Sequence, residues 1–118
     1  MSEKNALAST VILVTREGLG SGEPGLQHAL VGKYLGLLLA GDLVPQALCF
    51  YTEGVHLVCE GSPVLEPLRA LEQRGCRLLV CTTCLEFYRL KDQARVGTQC
   101  GMPDILNAQI QAAKVITV

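Results

Sequence analysis

Apolar residues in this chain cluster into short continuous runs separated by glycine- and proline-rich turns and longer mixed stretches. Residues 8–15 read as a continuous apolar, β-branched run, which fits a strand covered on both faces better than a half-exposed one. Four glycines and Pro24 in residues 16–25 end that strand and open a helix near Pro24. The helix, residues 24–39, spreads Leu26, Leu30, Val31, Tyr34, Leu35, Leu37, Leu38 and Leu39 over more than one stripe, so one face can pack on a sheet while another needs a partner. After Gly41 and Pro45, residues 46–52 make a second buried strand. Residues 53–61 fit two patterns: Val55, Leu57 and Cys59 alternate as in a strand, whereas Val55, Val58 and Cys59 share a helical face. Ser62 is the expected N-cap of the next helix, with Pro63 at its first position, Glu66 in the first turns and Gly75 as terminator. Residues 76–81 form a third buried strand, and Thr83 with Glu86 has the capping-box spacing that opens a short helix. Residues 92–101 read as a loop with a brief strand around 94–96. A last helix begins at Met102 or Pro103, its apolar side carrying Ile105, Leu106, Ile110 and Ala113, and residues 114–118 close the chain as a strand.

Strands alternating with helices at this spacing imply parallel strands and right-handed crossovers. The expected architecture is one domain over residues 1–118, a small doubly wound parallel α/β sheet of four or five strands with helices on both faces. A strand order of 2-1-3-4 would put the ligand crevice between strands one and three.

Composition narrows the function. Of 118 residues 49% are hydrophobic and only 18% charged, which excludes a disordered chain and leaves an apolar excess for a doubly covered sheet or an oligomer interface to absorb. There are 20 Leu and 11 Val but five aromatics and no Trp, so base stacking has little to work with. A net charge of -1 with scattered Lys and Arg lacks the footprint a phosphate backbone requires, so no nucleic-acid partner is expected. The longest apolar stretch, residues 29–40, is interrupted by Lys33 and is shorter than the roughly 20 residues that span a bilayer. No membrane association is expected. The polar start, residues 1–5, lacks the features of a secretory signal; a cytoplasmic location with reduced thiols follows as the expectation.

The sharpest chemical feature is Cys81-Thr82-Thr83-Cys84, a CxxC at the carboxyl end of strand three. With Thr83 as N-cap, Cys84 takes the first helical position, where unpaired N–H groups and the helix dipole favour a thiolate. Cys84 is therefore the candidate nucleophile and Cys81 its partner. Arg16, Gly20, Thr82 and Thr83 make the candidate substrate- or anion-binding set, with Gly18, Gly20 and Gly22 able to turn backbone N–H groups on an anion after strand one. Each has a plainer reading as a turn glycine, a solvated arginine or a buried cysteine pair. A thioredoxin-like exchanger carries its motif after the first strand, and structural zinc needs further ligands from Cys100 or a histidine. No metal and no cofactor are expected. Cys49, Cys59 and Cys76 read as packing residues, Cys100 as a loop cysteine at the rim, and His28 and His56 as surface or interface residues.

The chain also resembles a known family. Phe50-Tyr51-Thr52-Glu53-Gly54-Val55, Glu60-Gly61-Ser62-Pro63-Val64-Leu65, the stretch from Leu79 through the CxxC to Tyr88, Val96-Gly97, Met102 and the final Lys114-Val115-Ile116-Thr117-Val118 are similar to the DsrE-like domain, most closely the carboxyl-terminal domain of YedF-type sulfurtransferase-like selenium metabolism proteins. The resemblance implies a DsrE-type fold assembled as trimers or hexamers. It also implies sulfur, or selenium in its place, carried as a persulfide on Cys84, with Cys81 releasing it or modulating its reactivity. A sulfur donor or TusA-like carrier is the implied partner. Two departures stand out: the sequence starts directly at strand one, without the TusA-like domain usual in YedF-type proteins, and Thr82-Thr83 replaces the usual Gly-Thr. Alternative readings are an assembly subunit without turnover and a thiol-disulfide oxidoreductase.

Overall fold

A computed structural model describes residues 5–118, so most of the polar start falls outside the described residues. Five parallel strands, β1 (Thr10–Val14), β2 (Ala47–Phe50), β3 (Arg77–Cys81), β4 (Thr98–Cys100) and β5 (Lys114–Thr117), form one sheet in the order β4-β3-β2-β1-β5. Four helices connect them: α1 (Pro24–Ala40), α2 (Leu65–Gln73), α3 (Thr82–Phe87) and α4 (Met102–Gln111). The α/β class, the parallel strands and the helices on both faces are as the pattern predicts.

The order is not. β2 lies between β1 and β3, so the loops after those two strands do not share a crevice. Three successive crossovers move the same way across the sheet, and only α4 runs back, carrying the chain to β5 beside β1. Strand residues divide accordingly. Ile12, Val14, Leu48, Phe50, Leu78 and Val80 pack beneath α1, α2 and α3, while Val11, Leu13, Ala47, Cys49, Leu79 and Cys81 pack with Ile105 and Ala108 of α4. The chain therefore leaves β3 toward one face and β4 toward the other. The strand order itself reverses between β1 and β5, away from the ends of β3 and β4.

Local chemistry explains the remaining shifts. Residues 53–61 adopt neither of the expected regular forms but a 3₁₀ segment, Thr52–Val58. Gly54 makes it possible, because a Cβ there would run into the Val14 carbonyl oxygen at the end of β1. The second helix starts at Leu65 with Val64 as N-cap; Ser62 bonds the Val64 N–H through its hydroxyl at 3.2 Å and so shapes the turn before the helix instead of capping it. The late strand lies at Thr98–Cys100, and Ala94 makes only an isolated antiparallel bridge to Cys59.

Three helices end in the same two-bond closure. Leu43 bonds back to Leu38, Cys76 to Leu71 and Leu90 to Leu85, each with its preceding residue at positive φ. Gly75 is the one such residue the sequence marks; Asp42 and Arg89 adopt the same conformation without a glycine. On α1, Val31, Leu35 and Leu38 are buried and Tyr34 partly so, whereas Leu26, Leu30 and Leu37 face outward, Leu37 being 70% exposed. On α4 the buried residues are Ile105 and Ala108; Leu106 and Ile110, expected on the packed side, are exposed.

Candidate functional site

β3 runs into α3 without a loop. Cys81, the last residue of β3, is itself the N-cap, so Cys84 is the third helical residue and not the first. The capping-box reading of Thr83 fails because the helix begins at Thr82, two residues before the start that an N-cap at Thr83 would give. Cys84 still lies in the first turn, with its sulfur at the mouth of a cleft of about 240 Å³ lined by Thr52, Thr83, Cys84, Phe87 and Tyr88. Phe87, 80% exposed, forms an apolar lip.

The opposite wall comes from the end of β2. Thr52 takes φ +53°, a left-handed conformation that costs a β-branched residue roughly 1–2 kcal/mol. In that conformation its N–H donates to the Cys84 sulfur at 3.1 Å. The 3₁₀ segment holds the turn from behind: Gly54 N–H donates to the Tyr51 carbonyl at 3.0 Å, and the His56 ring, its Nδ1 2.9 Å from the Glu53 carbonyl, packs 4.5 Å from the Tyr88 ring. Thr52 is a site residue that sequence reasoning missed. Gly54 two positions later is the one local sign that the backbone turns tightly here.

Burial pushes the Cys84 thiol above the ordinary thiol pKa; the Thr52 N–H opposes this, and the adjoining Cys81 thiol raises it further. Desolvation therefore works against the thiolate that the helix start favours. Cys81 is 2% exposed and belongs to the cluster beneath α4. Cys100, at the end of β4, is the register partner of Cys81 and packs against the same cluster. Burial also raises its pKa, as do Asp104 and Cys81, against a backbone hydrogen bond from Val80 and the charge of Arg77. Thr82 donates its hydroxyl to the Cys100 carbonyl at 3.0 Å, tying the start of α3 to the edge strand. All six cysteines are free thiols. Cys49 and Cys76, buried in the sheet, are pushed by desolvation to about 11 and about 12. They read as packing residues, as expected.

Of the candidate residues, then, Cys81, Cys84, Thr82 and Thr83 come together, and Cys100 joins them. Arg16 and Gly20 do not. Arg16 is exposed on the loop after β1, and the Gly20 carbonyl accepts from the Gln27 side chain at 2.7 Å. Neither lines the Cys84 cleft. His28 and His56 line a separate cavity of about 140 Å³ with Glu17 and Glu60. Among the described residues, no group of three or more His, Cys, Asp or Glu side chains is gathered to hold a metal ion. No helix among them is long and apolar enough to cross a membrane.

Known structures share this architecture. A protein of unknown function, MTH1491 from Methanobacterium thermoautotrophicum, is similar over 92% of this chain and 97% of its own at 17% identity and a TM-score of 0.67. The ychN protein from E. coli is similar over 93% of this chain and 98% of its own, also at 17% identity and a TM-score of 0.67. At that identity the likeness concerns the fold alone. No curated protein matches the chain. The model of the DsrE/DsrF-like family matches residues 9–118, which takes in all five strands and the three thiols at the β3 and β4 ends: the chain belongs to the DsrE/DsrF-like family.

Proposed function

We propose that the protein carries sulfane sulfur as a persulfide on Cys84. The observation that supports this best is a half-buried thiol at the mouth of an apolar cleft, with an N–H held on its sulfur by the strained Thr52 backbone and a second thiol adjoining it. In the resting protein the thiol stays protonated, which limits adventitious oxidation. Once a sulfur is bound, the Thr52 N–H and the first-turn N–H groups are available to the persulfide, and the aromatic walls of Phe87 and Tyr88 limit its contact with water. Cys81 can modulate that reactivity or release the sulfur by disulfide formation. The cleft lining carries no cation, which favours a donor that delivers sulfur from a protein persulfide over a small anionic donor.

Finer readings belong to the same proposal: kinship with the YedF-type carboxyl-terminal domain, selenium in place of sulfur, a cytoplasmic location, and a TusA-like carrier as donor or acceptor. Intact-mass analysis after incubation with a protein persulfide donor tests the core. One added sulfur is expected in the wild type and none in Cys84→Ser; equal loading of the two overturns it.

A second reading, an oligomeric assembly subunit without turnover, draws on exposed apolar side chains. Leu26, Leu30 and Leu37 on α1 and Met102, Leu106 and Ile110 on α4 leave more outward apolar surface than scattered single residues. A homo-oligomer, trimer or hexamer, would cover it under either reading. Light scattering that returns a monomer removes the assembly reading and leaves the sulfur-carrier reading to stand on Cys84. A thiol-disulfide oxidoreductase, the remaining alternative, would reduce a small disulfide catalytically and lose that activity in Cys81→Ser.

A further inference from the structure

The three thiols at the β3 and β4 ends differ in the face they serve. Cys84 opens into the apolar cleft on the side of α3, Cys81 is buried beside it, and Cys100 lies half-buried on the edge strand against the α4 side. Cys81 and Cys100 are register partners on adjacent parallel strands, which lie about 4.8 Å apart, and both side chains belong to the α4-side cluster. The Thr82 hydroxyl on the Cys100 carbonyl holds that edge strand in register. Cys84 touches both packing clusters and adjoins Cys81 through a side-chain hydrogen bond, while Cys81 and Cys100 share the α4-side cluster, so Cys81 has a thiol neighbour on either side. Cys100, at the end of a three-residue edge strand, is the second half-buried thiol of the chain.

From this arrangement we infer that Cys100 is the exit thiol of an internal relay, receiving from Cys81 the sulfane sulfur that Cys84 takes up. The inference rests on the sulfur-carrier reading. In the first step the Cys81 sulfur attacks the outer sulfur of the Cys84 persulfide; a Cys81 S–S bond forms, the Cys84 S–S bond breaks, and its electron pair stays on the Cys84 sulfur, which takes the Cys81 thiol proton. The second step repeats this between the Cys81 persulfide and Cys100. One S–S bond forms for each that breaks, so neither step needs an oxidant or reductant. Attack on the inner sulfur instead would expel hydrogen sulfide and leave a Cys81–Cys84 disulfide.

The test is site mapping. The reduced full-length protein is incubated anaerobically with the same protein persulfide donor, quenched with an alkylating agent, and digested to locate each alkylated persulfide. Sulfane sulfur is expected on Cys84 and Cys100 of the wild type and absent from Cys49. In Cys81→Ala it should remain on Cys84 and fall at least about tenfold on Cys100. Cys81→Ser serves as the second variant if the alanine protein does not fold, and Cys100→Ala should still load Cys84. Sulfur confined to Cys84 in the wild type, or Cys100 labelled equally in Cys81→Ala or Cys84→Ser, overturns the relay and leaves the carrier reading standing. No sulfur on any wild-type cysteine overturns both.

Discussion

The two ends of the sheet hold clefts of opposite character. At the amino ends of the strands lies the larger, about 360 Å³, with Asn5, Asp42, Arg74 and Arg77 in its wall. Most of its polar groups already serve the fold. Asn5 receives the Val44 N–H at 2.9 Å and donates to the Val44 carbonyl at 2.6 Å, and Arg74 reaches both Asp42 and the Leu39 carbonyl at 3.0 Å. The cleft at the carboxyl ends is smaller and nearly all apolar, yet it contains a thiol with one donor trained on it and two more thiols behind it. Reactive groups left unused by the fold, and not the amount of space, distinguish a site. They gather there because Thr52 follows β2, Cys81 ends β3 and leads to Cys84, and Cys100 ends β4, three neighbouring strands that finish side by side.

Four measurements can break or sharpen that contrast. The largest effect is in pH dependence at the carboxyl end. With the Cys84 thiol raised by burial and by Cys81, alkylation at Cys84 should climb about tenfold per unit through the pH range below an ordinary thiol pKa of about 8.5 and go on rising above it. A plateau near neutrality means a resting thiolate and reverses the electrostatic account of the site. The buried thiols add a stability trend of the same sign: because folded Cys49 and Cys76 hold their protons to about 11 and about 12, their contribution is complete below the unfolded thiol pKa and is lost as pH rises through those values.

Second in size is Gly54→Ala, which sets a methyl against the Val14 carbonyl and should cost about 2–4 kcal/mol in urea unfolding. It should also change Cys84 alkylation, since Thr52 turns on the same 3₁₀ segment. An unchanged alkylation rate in a folded Gly54→Ala protein uncouples the two. At the amino end, Asn5→Ala removes two backbone partners and should cost about 1–2 kcal/mol while leaving Cys84 alkylation alone. The smallest effect belongs to Arg74→Ala. Its pair with the exposed Asp42 is worth about 0.2–1 kcal/mol, and sulfur loading should not respond. Lost loading in either amino-end variant would erase the distinction between the ends.

Legibility in the sequence follows the range of the forces involved. Pro24 at a helix start, Gly75 after a helix end and the unbroken apolar strands act through neighbouring residues, and the elements appear where they indicate. The α3 start shows the limit. Thr83 has a capping side chain, but β3 feeds straight into the helix and Cys81 becomes the cap, which moves Cys84 two helical positions inward. Thr52 and Arg89 take left-handed backbone because the 3₁₀ segment and the end of α3 are pinned by packing, and no local preference of either residue announces it. The apolar residues that the sequence spreads around α1 divide for the same reason: Leu38 enters the core, Tyr34 is half-buried, and Leu30 and Leu37 remain outside.

By itself the sequence determined the α/β class, the parallel strands, the family and the pair Cys81 and Cys84, because helix and strand periodicity, turn chemistry and motif spacing are written within short windows of chain. Only the tertiary structure decided the strand order, and with it which loops face one another. Strand order depends on which way each crossover packs across the sheet, a competition among whole faces that no short window contains. That decision moved the crevice from between β1 and β3 to the ends of β2 and β3, left Arg16 and Gly20 out of its lining, brought in Thr52, and set Cys100 beside Cys81.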